Sequence, residues 1–234
     1  MLLSQTVIAN TLLSSMPRSE YASLMVHLEL VNLAFGDILY EVGDHIKYVY
    51  FPNDSLVSLL TLVDRHHALE VGMVGSEGLV GVAIALGVDQ ATVRAMVQGA
   101  GTAMRMKTAP FRAQLKRSNG LQKSVNLYTH TLMAQIAQTA ACNRFHQVET
   151  RLARWLLMTR DRVGMNQFHL TQDFLSDMLG VRRVGVTKAA RALKDRQLIE
   201  YSRGNIDILD GKGLELAACS CYKVSNHKTS SRRS

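Results

Sequence analysis

Residues 170–193, LTQDFLSDMLGVRRVGVTKAARAL, constrain this chain more than any other segment. Thr171 stands where a helix N-cap belongs, and Phe174, Leu175, Met178 and Leu179 follow at helical spacing. Gly180 supplies the left-handed residue that ends a helix. A second helix is predicted from about Arg182, burying Val186, Ala189, Ala190 and Leu193 and exposing Arg182, Arg183, Lys188, Arg191 and Lys194. A short helix, a glycine turn and a basic second helix are the parts that set a helix into the major groove of DNA. The same spacing also occurs in all-helical domains whose basic faces are merely solvated, so the segment alone leaves that alternative open.

The charge distribution favours the nucleic-acid reading. The 234 residues carry a net charge of +8, but residues 1–140 hold 10 Lys and Arg against 10 Asp and Glu, whereas residues 141–234 hold 17 against 9. A neutral N-terminal part and a basic C-terminal part are implied. Basic surface attracts phosphates in a salt-dependent, sequence-independent way. Lys223, Lys228, Arg232 and Arg233 account for half of the excess as a basic tail, and the rest lies around the helix pair.

Three cysteines, Cys142, Cys219 and Cys221, are too few and too odd in number for a disulfide framework and suit a reducing cytoplasm. Cys219-Ser-Cys221 lacks metal-site spacing and has no partner pair nearby in sequence, so no metal site is expected. The segment MLLSQTVIANTLLSSMP has no basic leader and no signal-type apolar core, and the longest apolar run, residues 56–63, is too short to span a membrane. The expectation is a cytoplasmic protein with no membrane partner.

Along the chain, residues 4–30 read as helical, with Leu12, Leu13 and Met16 before Pro17 and Tyr21, Leu24, Met25 and Leu28 after it. From 31 to 106 short apolar runs alternate with turns such as Phe35-Gly36-Asp37 and Val42-Gly43-Asp44. Strands are predicted at 48–51, 55–63, 69–74, 92–97 and 102–106, which suggests an all-β roll or barrel. Leu121, Val125, Tyr128, Leu132, Gln135, Thr139 and Cys142 then fall in alternating steps of four and three, the spacing of a long helix that packs on another helix. That partner is either a second copy, which makes the helix a dimer axis, or the rest of its own domain. Another helix is read at 148–158, with Val148, Leu152, Trp155 and Leu156 on one side and Arg151 and Arg154 on the other. Residues 198–209 read as two short strands joined near 202–205, a wing, and residues 222–234 read as a polar, disordered tail.

In this order the parts resemble the Crp/Fnr family of bacterial transcription regulators. The resemblance covers nearly the whole chain and rests on the β-roll texture, the long helix, the RLARWLL segment at 151–157, the helix-turn-helix and the wing. It implies an α+β architecture: a jelly-roll-like β-roll sensor domain at 1–118, a dimerisation helix at 119–145, a winged helix-turn-helix at 146–222 and a tail at 223–234. It also implies a homodimer on a two-fold operator, controlled by an effector and acting with RNA polymerase. By the same resemblance Arg183 is the guanine-reading arginine, able to pair with O6 and N7 together. Val184 stands where well-known members carry a glutamate and can only touch a thymine methyl, and Lys188 stands where a second arginine is common. Arg182 joins these as a base-reading candidate, and Thr171, Gln172, Arg191 and Arg203 are candidate phosphate contacts.

The effector region departs from the family pattern. Gly75-Ser76-Glu77-Gly78 loosely matches the Gly-Glu pair of the cyclic-nucleotide binders, but Ala91-Thr92 stands where their Arg-Ser or Arg-Thr is expected. A buried phosphate without that arginine lacks its counter-ion, which argues against a cyclic nucleotide. Arg94 is a candidate substitute, and an effector pocket is expected around Glu77, Thr92, Arg94 and Tyr128. The iron–sulfur branch is excluded because the first cysteine is Cys142, and none of His27, His66, His67, His130 and His146 lies in a haem-ligand motif. The 66–67 pair reads as a solvated hairpin turn. No nucleophile elbow or paired metal motif appears, and residues 75–81 lack the Lys-Ser/Thr of a phosphate-cradling loop, so no enzyme activity is expected. The alternative function is a nucleotide-sensing module that signals through protein contacts.

Overall fold

The structure is a computed structural model that describes residues 9–63 and 67–223. The chain divides into two compact units, residues 1–59 with 73–130 and residues 60–72 with 131–234.

The first unit begins with two short helices, α1 (Thr11–Ser14) and α2 (Arg18–Met25), in place of the longer helical stretch expected over 4–30. Pro17 has no N–H to continue a helix and instead precedes α2 as its N-cap. Residues 1–8 lie outside the described residues. Asn10 is fully buried: its side chain accepts from Leu13 N at 3.2 Å and donates to the carbonyls of Pro52 and Gly78, each at 2.9 Å. One polar side chain thus caps α1 and ties it to the strands.

In chain order the strands are β1 (Glu29–Leu33), β2 (Ile38–Tyr40), β3 (Tyr48–Pro52), β4 (Leu56–Leu62), β5 (Ala68–Val74), β6 (Arg94–Gly99) and β7 (Gly101–Lys107), with a 3-10 turn at Val82–Leu86; the end of β4 and most of β5, within residues 60–72, count with the second unit. They form two sheets, ordered β1-β7-β3 and β2-β6-β4-β5, and this is the expected β-roll. β1 and β2 were not legible because they are short and their apolar residues do not alternate cleanly between buried and exposed positions. β3 is buried along four of its five residues. Phe51 on β3 meets Phe111 of α3 (Thr108–Arg117) edge-on at 6.2 Å, and both are fully buried. Each contributes about 1.5–3 kcal/mol relative to exposure.

α4 (Asn119–Phe145) is the long helix and contributes to both units. The residues on its predicted seam face inwards: Leu121, Val125, Tyr128, Leu132 and Cys142 are buried within the single chain, and Gln135 and Thr139 are half-buried. At Gly72 of β5 a Cβ would lie 3.2 Å from both Leu132 and Gln135, so the strand and this face of the helix touch closely. Of the two partners the periodicity allowed, the protein's own fold covers this face. The opposite face carries Leu127, His130, Met133, Ala137, Ala141 and Arg144, all exposed.

In the second unit α5 (Val148–Val163) is buried from Arg151 to Thr159, arginines included. The two-sided reading of this helix, with Arg151 and Arg154 set apart from the apolar side, is therefore corrected. α6 (Gln172–Leu179) and α7 (Arg183–Asp195) pack on α5. β9 (Ile199–Ser202) and β10 (Asn205–Ile208) form the predicted wing, joined through left-handed Arg203 and Gly204. A strand missed in the sequence, β8 (Gln167–His169), completes the sheet in the order β8-β10-β9. α8 (Gly211–Ala217) follows. Tyr222, assigned to the polar tail, is buried, donates its hydroxyl hydrogen to Asp161 at 2.7 Å and accepts from Arg160 at 3.3 Å. The tail from 224 and His66 lie outside the described residues, while His67 is exposed. Among the described residues no helix is long and apolar enough to cross a membrane.

Candidate nucleic-acid interface

The helix pair is built as its sequence requires. Thr171 Oγ1 accepts from Phe174 N at 3.1 Å and caps α6. At the other end Gly180 is left-handed, with φ +59°, and passes the chain to α7. Leu175, Met178 and Leu179 meet Val186, Ala189, Ala190 and Leu193 in the interior. The C-terminal carbonyl of α6, at Leu179, accepts from the buried Arg151 guanidinium. A cation at that end of a helix satisfies an orphan carbonyl and complements the dipole.

This packing turns one edge of α7 outward. Arg182, Arg183, Val184 and Lys188 are exposed, Val184 by 59%. Gln172 orients Arg183: its Oε1 accepts from Arg183 Nε at 3.3 Å and from Thr187 Oγ1 at 2.9 Å. Asp173 lies 3.6 Å from the same Nε. Both contacts are made to Nε, and the side chain as a whole is exposed. Arg182 and Lys188 form no ion pair among the described residues. Arg191, by contrast, lies 3.7 Å from Asp195, and Lys194 pairs with Glu200.

Between α6, α7 and the wing runs a surface groove of about 430 Å³, lined by Thr171, Gln172, Asp173, Arg183, Tyr201 and Arg203 among others. The structure thus gathers four of the candidate base and phosphate contacts at one surface. The Thr171 hydroxyl hydrogen and the Gln172 amide remain able to donate there. Arg203 sits at the wing tip with φ +50°.

The candidate effector residues are placed differently. Ala91 is buried, Thr92 is exposed and precedes β6 rather than sharing a strand face with Arg94, and Arg94 Nε donates to Glu41 at 2.8 Å. Arg94 is therefore engaged in an ion pair within the fold and not offered as an unpaired phosphate ligand. Glu77 accepts from Gly75 N at 3.3 Å, and the buried Tyr128 ring lies so close to Gly78 that a Cβ there would fall 2.5 Å away.

A group the sequence did not bring together lies in the second unit. Cys219 and Cys221, read as having no partner pair, meet Cys142 of α4 and His146 just beyond its end, with all four ligating atoms within 4.8 Å of one another. Their separations of 77 and 75 residues across the closest contacts explain why no spacing motif announced them. The hydrogen bond from Cys219 favours the thiolate of Cys142, helped by His146 and Arg154 and opposed by burial, while Cys219 as the donor is pushed up.

Residues 150–217 match the family described as the Crp-like helix-turn-helix domain. No curated protein sequence matches this chain. Its fold is similar to that of a protein assigned to the Crp/Fnr family of transcriptional regulators from Eubacterium rectale ATCC 33656, with a TM-score of 0.70 and 17% identity over 88% of this chain and 97% of that one. It is also similar to FixK2 from Bradyrhizobium japonicum, with a TM-score of 0.70 and 12% identity over 82% and 98%. A third similar structure is CLP, the c-di-GMP responsive global regulator of Xanthomonas campestris, with a TM-score of 0.67 and 14% identity over 83% and 100%.

Proposed function

We propose that this chain is a regulator of the Crp/Fnr type that works as a cytoplasmic homodimer reading a two-fold DNA operator, a reading supported by the Crp-like helix-turn-helix match at residues 150–217 and by a fold similar to such regulators over most of the chain. The observation that carries the reading is the exposed edge of α7, where Arg183 is held through Nε by Gln172 and Arg182 and Lys188 form no ion pair among the described residues. Arg183 then pairs with guanine, Val184 contacts a thymine methyl, and Arg182 and Lys188 supply the neighbouring base contacts. Thr171, Gln172, Arg191 and Arg203 take phosphates and set the register.

Dimerisation uses α4 through its exposed face of Leu127, His130, Met133, Ala137 and Ala141, since the seam from Leu121 to Thr139 is already covered. The first unit is the sensor, with its ligand near Glu77, Thr92 and Tyr128. That ligand is not a cyclic nucleotide, because Ala91 replaces the arginine and Arg94 is paired with Glu41. The reading makes the protein a regulator that works with RNA polymerase rather than an enzyme, and it requires no haem or iron–sulfur cluster.

Selection of random duplex DNA by the full-length protein, followed by sequencing, tests this. The expected result is an enriched palindrome with half-sites about one helical turn apart. Absence of binding even at low salt would favour the alternative, a sensing module that acts through protein contacts.

A further inference from the structure

Cys142 lies in the last turn of α4 and His146 is the first residue beyond it, its N–H donating to the Cys142 carbonyl at 3.1 Å, so the two stand one helical turn apart. The segment after α8 brings Cys219 and Cys221 to them. It is held on α5 at both ends: Cys219 N donates to Thr150 O at 3.3 Å, and the Tyr222 hydroxyl donates to Asp161. Cys142 Sγ and Cys219 Sγ are 3.4 Å apart, and Cys221 Sγ and His146 Nδ1 are 3.5 Å apart. Gln138 Nε2 donates to Cys221 Sγ at 3.0 Å, as an outer partner that orients a thiolate would. All three sulfurs are buried and His146 is half-buried.

Zinc bound at about 2.3 Å to sulfur and about 2.0–2.1 Å to nitrogen in a tetrahedron needs ligand atoms about 3.4–3.8 Å apart; the Cys142–Cys219 and Cys221–His146 separations of 3.4 and 3.5 Å meet this, and all four ligand atoms lie within 4.8 Å of one another, close enough to draw in around one ion. Three cysteines and one histidine form a closed site of the structural type, and a sulfur-rich set without oxygen ligands disfavours magnesium and calcium. The charge also balances. Zn²⁺ with three thiolates leaves one negative charge, and Arg154 is buried against the cluster with Nε and Nη2 lacking any hydrogen-bond partner among the described residues. A buried guanidinium needs such a counter-charge.

We propose that Cys142, His146, Cys219 and Cys221 bind one Zn²⁺ and so clamp the segment after α8 to the end of α4. Binding replaces the thiol protons with the metal, releases them to solvent, and uses the neutral imidazole through Nδ1. No oxidation is involved. The site stands independently of the DNA reading.

The test is metal analysis of full-length protein, purified without chelator and desalted, together with cobalt substitution. About one zinc per chain is expected, with Cys219→Ser losing it while circular dichroism shows the fold retained. Co²⁺ added to the metal-stripped wild type should give the intense visible bands and sulfur charge-transfer absorption of tetrahedral thiolate coordination, a readout that needs no variant. Substoichiometric zinc combined with only the weak spectrum of aqueous Co²⁺ would overturn the proposal. So would a Cys142–Cys219 disulfide, found by non-reducing peptide mapping, in protein offered zinc.

Discussion

Trp155 Nε1 donates to Glu70 Oε1 at 2.9 Å, with both side chains buried. The same indole meets Phe174 edge-on at 6.4 Å, so one side chain of α5 bridges β5 and α6 within the second unit. Trp155→Phe keeps most of the apolar surface and removes the donor. A hydrogen bond to a charged group contributes about 1.5–3 kcal/mol, and the loss should fall in that range. Denaturant unfolding of the variant beside the wild type measures it, and an unchanged midpoint would show that Glu70 is satisfied without the indole.

Two features favour glycine at position 180. Its φ of +59° is left-handed, and a Cβ there would lie 2.6 Å from Leu69 Cδ1. The leucine tip is flexible and can shift, so the backbone cost dominates, at roughly 1–2 kcal/mol for a residue with a Cβ. Gly180→Ala should lose that much stability, and adding Leu69→Ala should not restore it. Recovery in the double variant, read in a thermal melt, would assign the cost to the clash instead.

Arg183→Ala should abolish operator preference while leaving the fold intact, because the side chain is exposed and its hydrogen bond and ion pair among the described residues are to Gln172 and Asp173 on the surface. Arg183→Lys should keep salt-dependent binding yet lose about 1–3 kcal/mol of discrimination at the guanine, since an ammonium has no fork. Competition binding against single-base operator variants separates the two effects. Unchanged base preference in the alanine variant would remove Arg183 from recognition.

Neighbouring residues on α4 should respond in opposite ways. Met133 is 65% exposed and Leu132 only 5%. Met133→Glu should yield a folded monomer by light scattering. Leu132→Glu should destabilise the chain itself, because it buries a charge without a partner. A dimer that survives Met133→Glu would move the interface off this face.

Millimolar cyclic AMP should leave the melting temperature unchanged. Binding at one hundred times the dissociation constant would add about 2.7 kcal/mol, easily seen in a melt. A rise of several degrees would mean that Arg94 leaves Glu41 for the phosphate.

Much of the candidate DNA-reading surface was legible from the sequence because its signals are local. Thr171 caps its own helix three residues on, Gly180 terminates it, and the period of α7 separates Val186, Ala189, Ala190 and Leu193 from the arginines. The five stronger strands were legible for the same reason, each carrying its apolar run and its turn. Weak strands such as β1 and β8 exist through pairing with β7 and β10, and their own residues hardly report it.

Periodicity identifies an apolar face but not the surface that covers it. The α4 seam was readable as a seam, yet its burial within the same chain follows from the fold around it, as the close approach of Gly72 to Leu132 illustrates. Arg151 and Arg154 look like a solvated edge until α5 is enclosed on all sides, where Arg151 finds the Leu179 carbonyl. The meeting of Cys142 and His146 with Cys219 and Cys221 is the clearest case. Contacts between residues more than seventy positions apart leave no period and no spacing to read, and they come into being only when the helices pack.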